Sequence, residues 1–208
     1  MTDYQSLKEA PFANIDYFVP WGSRPWQRFV EIGLKDYMGG NLENMDVLEI
    51  GPGNGLLSCL LASLGAKVTS LEIDPKRLLS IKTNIQKFGF SDKIEPILYD
   101  GNPDVLGDRQ FDLLFSKSAL IYVNDFKSYL ENLDNHLKPG GRFVFIENVR
   151  GNLIFQLLRF IKRRSLSFFR RTHFFDKYNI EILREVFKIE LLMHSKFPPI
   201  CLICGQKK

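Results

Sequence analysis

Cysteine is scarce in this chain: Cys59, Cys201 and Cys204 are the three among 208 residues. An odd number spread so widely is not a disulfide framework, and it predicts a reducing compartment, the cytoplasm. Long apolar runs are missing too, with nothing approaching the ~18 uninterrupted residues of a membrane span. The opening MTDYQSLKEAPF has neither a basic n-region nor an apolar h-region, so neither secretion nor membrane spanning is expected. Histidine is limited to His136, His173 and His194, far apart in sequence. The Cys201-x-x-Cys204 pair lies in the strand-like run PICLIC, where residues three apart point to opposite faces. No structural zinc is expected from such a set.

What is present is ordinary globular material, 45% hydrophobic and 25% charged, enough for one α/β domain with a buried core. The net charge of +4 hides a division: residues 1–149 sum to −5 and residues 150–208 to +9. A basic tail suits nucleic acid, an anionic membrane surface or a phosphorylated substrate, and is silent about fold.

Apolar periodicity alternates between short β-like runs and helix-length stretches, the pattern of βαβ units. Strands are expected near 47–50, 68–73, 94–99, 111–115 and 142–146, all rich in Val, Ile, Leu and Phe, as parallel strands covered on both faces are. Helices are expected over 56–64, 75–88 and 125–137. The second has Asp74 as N-cap and Pro75 at its first position. Pro139-Gly140-Gly141 should end a helix and turn into the next strand. Two late strands, 187–193 and 200–205, are joined through Pro198-Pro199, which should keep the joint extended. Ahead of the first strand, PWGSRPWQRFVEIGLKDYMGG reads as a Pro-started helix closed by Gly39-Gly40, a cap over the sheet edge or pocket.

The strongest local signal is VLEIGPGNGLLS over 47–58, an apolar strand running through Gly51, Gly53, Asn54 and Gly55 into a helix. In a parallel sheet that turn lies where ligands lodge. A dinucleotide fingerprint needs Gly at position 56, where this chain has Leu56. Glu49, beside the turn, repels phosphate and favours a cationic or amine-bearing ligand. Glu72 ends the next strand and suits the hydroxyls of a ribose, and Asp100 follows the third.

Together, ExGxGxG, the acid after strand two, the Asp after strand three, FDLLFS at strand four and LKPGGRFVFIE at strand five resemble the class I S-adenosylmethionine-dependent methyltransferases, in particular their type 11 group. The resemblance covers about residues 45–149. It implies a three-layer Rossmann-like α/β fold with a seven-stranded, mostly parallel sheet whose last strand is reversed. The implied cofactor is S-adenosylmethionine. Gly51, Gly53 and Gly55 would line its methionine part and Glu72 its ribose, with Glu49 and Asn54 also among the cofactor-binding residues. Asp100, Ile73 and Gly101 would meet the adenine, and Ser116 would lie nearby after strand four. One domain is expected over 1–208: an N-terminal cap (1–44), the cofactor core (45–149), an acceptor-side cover (150–180) and the last two strands (181–208).

Methyl transfer rests largely on positioning. If the acceptor is a hydroxyl, Glu147, Tyr122 and His173 are the candidates to take its proton, although a carboxylate at a strand end is more often a solvated or capping group and a lone histidine is usually a surface or packing residue. Phe115-Ser116-Lys117-Ser118 is not the [DN]-P-P-[YFW] platform of amide or base nitrogen methylation, and no cysteine sits where a C5-pyrimidine nucleophile would. Arg150, Arg159, Lys162, Arg163, Arg164, Arg170 and Arg171 precede any acid until Asp176, with Ile154, Leu157, Leu158 and Ile161 forming an apolar stripe at helical spacing. Three interpretations remain open: an amphipathic helix with a solvated basic face, a peripheral membrane contact through 150–172 that delivers a lipid-linked or small-molecule acceptor, or a phosphate- or RNA-binding strip. A non-catalytic membrane-surface or partner-binding module of the same fold is a further alternative.

Overall fold

The computed structural model describes residues 3–20, 24–151 and 173–208. Seven strands form one sheet: β1 (Asp46–Ile50), β2 (Lys67–Glu72), β3 (Ile94–Leu98), β4 (Phe111–Lys117), β5 (Leu137–Asn148), β6 (Phe187–Lys196) and β7 (Pro199–Lys207). Their order is β3-β2-β1-β4-β5-β7-β6. The first five pair in parallel, while β7 runs antiparallel to both β5 and β6. The seven strands and the reversed last one are therefore as the sequence implied.

Alternation along each strand divides the core into two apolar layers. Val47, Leu113, Phe115, Val144, Ile146 and Leu202 face one way. That face packs against α1 (Tyr4–Glu9), α2 (Ile15–Phe18), α3 (Arg24–Glu31), α4 (Leu56–Ser63) and α5 (Pro75–Phe88). Leu48, Ile50, Leu114, Phe143 and Phe145 face the other way, against α6 (Phe126–Asn135) and α7 (Lys177–Val186). Both α6 and α7 begin at an aspartate: Asp125 accepts from Ser128 N–H, and Asp176 forms a capping box with Asn179. On the first face, Asp74 caps α5 with Pro75 behind it, as expected.

Several details differ from expectation. The N-terminal cap comprises α1, α2 and α3, and α3 passes into a π-helical stretch over Ile32–Tyr37. Its polar spacing concealed how much of it buries: Leu7, Phe18, Val30 and Leu34 join the core. β5 begins at Leu137, so Pro139-Gly140-Gly141 lies inside the strand as an irregularity in its pairing with β4 rather than ahead of it. The β6–β7 joint is a tight turn containing a cis Phe197–Pro198 peptide, not an extended link. The basic amphipathic stripe over 154–163 and most of the expected cover lie outside the described residues. Among the described residues, no helix is long and apolar enough to cross a membrane.

Candidate methyl-donor site

The topological switch point of the sheet lies between β1 and β4, which are adjacent although β2 and β3 intervene in sequence, and ligands lodge at the carboxyl ends of the strands there. A cavity of about 610 Å³ opens at that place. It is walled by Gly51 after β1, Glu72 and Ile73 after β2, Tyr99, Asp100 and Gly101 after β3, and Ser118, Ala119 and Tyr122 after β4. The structure thus brings together Gly51, Glu72, Ile73, Asp100, Gly101 and Tyr122, six of the residues the sequence singled out.

Glu72 is 1% exposed and tied into backbone. Its Oε2 accepts from Gly53 N–H at 3.3 Å, and its Oε1 accepts from Ile73 and Asp74 N–H at 2.9 and 3.0 Å. One carboxylate therefore links the glycine turn to the end of β2. Oε1 thus already accepts two bonds, while Oε2 keeps one acceptor site. Gly101, at φ +104, leaves open space where a side chain would project, whereas Ile73 is 56% exposed and offers an apolar surface.

Other predicted residues lie outside that wall. Glu49 and the residues before it follow strand alternation, which turns Glu49 to the α4 face, away from the cavity. There it is 2% exposed and accepts from the hydroxyls of Ser58 and, at 3.1 Å, Ser70. Burial pushes its carboxyl up to about 7, and it lies in a buried network behind the turn rather than in the described cavity wall. Asn54 accepts from Leu56 N–H and its carbonyl accepts from Asn84, while Gly55 packs on Ile81 of α5. Both shape the turn from behind. Ser116 is buried and donates to Glu147 at 2.9 Å. Glu147 is fully buried and does not line the donor cavity. His173 lines a second cavity of about 620 Å³, with Arg150, Asn179 and Tyr178. The two cavities share the wall Val123, Asn124 and Asp125.

Some site residues went unnoticed in the sequence. Tyr99 and Tyr129 approach hydroxyl to hydroxyl at 3.2 Å under the cavity, and Ala119 closes it against Gly51. Lys117, the last residue of β4, has its Nζ 4.6 Å from the centre of the Trp26 ring of α3. Burial lowers its pKa, while Glu147 and Glu49 oppose that shift. A lysine ending an apolar strand was the available signal.

Residues 48–145 match the methyltransferase-domain family. A sterol 4-C-methyltransferase of Caenorhabditis elegans is 27% identical over 53% of this chain and 33% of its own length. A ubiquinone biosynthesis O-methyltransferase of Paramagnetospirillum magneticum is 30% identical over 49% of this chain and 40% of its own. The chain thus spans well under two thirds of these curated relatives. The solved N-methyltransferase NodS of Bradyrhizobium japonicum, in complex with S-adenosyl-L-homocysteine, superposes with a TM-score of 0.62 at 18% identity, over 86% of this chain and 84% of that one. The match thus places a methyltransferase domain over residues 48–145, and the fold is that of the class I S-adenosylmethionine-dependent methyltransferases.

The cavity fits that family's methyl donor. Among the described residues, Glu72, Asp100, Asp104 and Asp125 line it against the single cation Arg77, which favours a ligand carrying a sulfonium and an ammonium. Asp104 is held below the usual carboxylate range by hydrogen bonds from Asn132 and Asn102, and Asp125 by those from Ser128. Both therefore stay ionised at neutral pH. Among the described residues no His, Cys, Asp and Glu group is arranged to hold a metal ion.

Proposed function

We propose that this methyltransferase moves a methyl group from S-adenosylmethionine to a small-molecule or lipid-linked acceptor, on oxygen. The observation that carries the reading is the pairing of an acidic nucleoside-sized cavity with a second cavity across the shared wall Val123, Asn124 and Asp125. The words sterol and ubiquinone in the relatives' names support an apolar acceptor, although a ribosomal protein L11 methyltransferase also matches.

When bound, the donor supplies a methyl on a positively charged sulfur, ready for in-line displacement. The chain's part is to hold and orient. Glu72 accepts from ribose hydroxyls, Ile73 and Gly101 give the adenine a flat bed, and Asp100 accepts from its amine. Tyr122, which lines the first cavity, and His173, which lines the second, are the groups proposed to take a proton from an acceptor hydroxyl. A cytoplasmic enzyme with peripheral membrane contact through residues 150–172 is the setting this reading favours.

The test is incubation with isotopically labelled methyl donor and fractionated lysate. Label in small metabolites or lipid supports the proposal. Label in RNA supports the alternative in which the basic segment docks nucleic acid, and steep loss of binding with salt should then accompany it.

A further inference from the structure

Glu147 does not line the donor cavity, yet it is among the least ordinary groups in the molecule. It is fully buried, at 0% exposure. Its Oε1 accepts three hydrogen bonds, from Ser116 Oγ at 2.9 Å, Leu120 N–H at 3.1 Å and Ala119 N–H at 3.3 Å. Its Oε2 has no partner among the described residues. Such asymmetry is costly for an ionised carboxylate, because a buried charge needs all its lone pairs met.

The segment it grips is the wall of the donor cavity. Ser118 sits at φ +59, a left-handed conformation rare for a residue other than glycine. Three consecutive residues of β5 hold it there. Ser118 N–H donates to Ile146 O at 2.9 Å, Glu147 takes the next two N–H groups, and Asn148 Nδ2 donates to Ser118 Oγ at 3.0 Å. Ala119, the middle of this turn, packs directly on Gly51 of the glycine turn, where a Cβ would lie 2.4 Å from its methyl carbon.

We propose that Glu147 is a positioning residue for methyl-donor binding, clamping the Ser118–Leu120 turn against the glycine turn from behind the cavity. Its charge state then becomes part of donor recognition. Burial raises its carboxyl to about 7. With Oε1 saturated, the proton goes to the unpartnered Oε2, and Oε1 is left as a weaker, neutral acceptor for Ala119 and Leu120. The ionised form grips the turn harder and adds negative potential beneath a cationic ligand. The charged and titratable groups bearing on it are Lys117 of β4 and Cys201 of β7, with Glu49 of β1 acting through Lys117.

Isothermal titration of S-adenosylmethionine and S-adenosylhomocysteine from pH 5.5 to 8.5 tests this on the whole chain, with thermal unfolding followed in parallel. The wild type should bind the donor about fivefold more tightly at pH 8 than at pH 6. Glu147→Gln keeps an acceptor oxygen and should fold normally, bind with the wild type's low-pH affinity and lose that pH dependence. Glu147→Ala should bind about tenfold more weakly throughout. Glu49→Gln separates the other buried carboxylate and should retain the pH dependence. The proposal is overturned if Glu147→Gln keeps the wild-type pH profile, if the profile disappears with Glu49→Gln instead, or if both Glu147 variants bind as the wild type does. Failure of the wild type to bind the donor at any pH overturns it together with the donor-site assignment, which the Glu147 variants by themselves do not touch.

Discussion

Gly51 and Ala119 touch across the switch point: a Cβ built on Gly51 would fall 2.4 Å from the Cβ of Ala119, and Gly51 has φ +68. The turn after β1 and the turn after β4 are thus in van der Waals contact, and the donor cavity is shaped where they meet.

Replacing Gly51 with alanine should therefore cost stability twice, through the left-handed backbone and through overpacking, by about 2–4 kcal/mol in all. Adding Ala119→Gly should recover part of that loss, because it frees the space but leaves φ unchanged. Chemical denaturation of the two single variants and the double variant checks this. Strict additivity would mean that the contact is not felt.

Glu72 connects Gly53, Ile73 and Asp74 and faces the cavity. Glu72→Ala should abolish measurable donor binding, and Glu72→Gln should weaken it by about 10–100-fold, the value of a charge-assisted pair of hydrogen bonds. Calorimetry with S-adenosylhomocysteine reads this out. Unchanged affinity in both variants would remove Glu72 from the ribose role.

Glu49 carries a pH signature of its own. Burial raises its carboxyl to about 7, above an unfolded value near 4.5. Between those pH values the folded state holds a proton that the unfolded state has released, so stability falls as pH rises through this window. The contribution is fully present below the unfolded value and lost above about pH 7. Glu49→Gln retains acceptance from Ser58 and Ser70 and should flatten the decline between pH 5 and 8 by on the order of 2 kcal/mol. Melting temperatures of the two proteins across that range provide the comparison, and parallel curves would contradict the assignment.

Cys59, Cys201 and Cys204 are all buried and free, and burial pushes each thiol up to about 12. Cys201 and Cys204 fall in the two opposite core layers, as strand alternation required. A thiol-specific chromogenic reagent should find no fast-reacting cysteine in the native chain at pH 8 and three after denaturation. Rapid native reaction of the Cys201-x-x-Cys204 pair would mean that β7 opens.

The sequence made the sheet and most of the donor wall legible because both follow local rules. Strand runs, the Asp74-Pro75 cap and the acids ending β2 and β3 are each set by neighbours within a few residues. Glu49 shows where such rules stop. Its proximity to the glycine turn in sequence suggested proximity to the ligand, but period-two alternation and the hydroxyls of Ser58 and Ser70, supplied by α4 and β2, turn it inward. The contact of Ala119 with Gly51 and that of Glu147 with Leu120 were opaque for a related reason: both cross strands, which no single segment encodes. The N-terminal helices were legible only in part, since Phe18 and Leu34 show their burial once the sheet they cover exists.

The most direct test of the account is a crystal structure of the chain soaked with S-adenosylhomocysteine. The ribose hydroxyls should lie within hydrogen-bonding distance of Glu72, with the adenine between Ile73 and Gly101 and near Asp100. A ligand bound elsewhere, or in this cavity with Glu72 making no contact to it, would contradict the assignment.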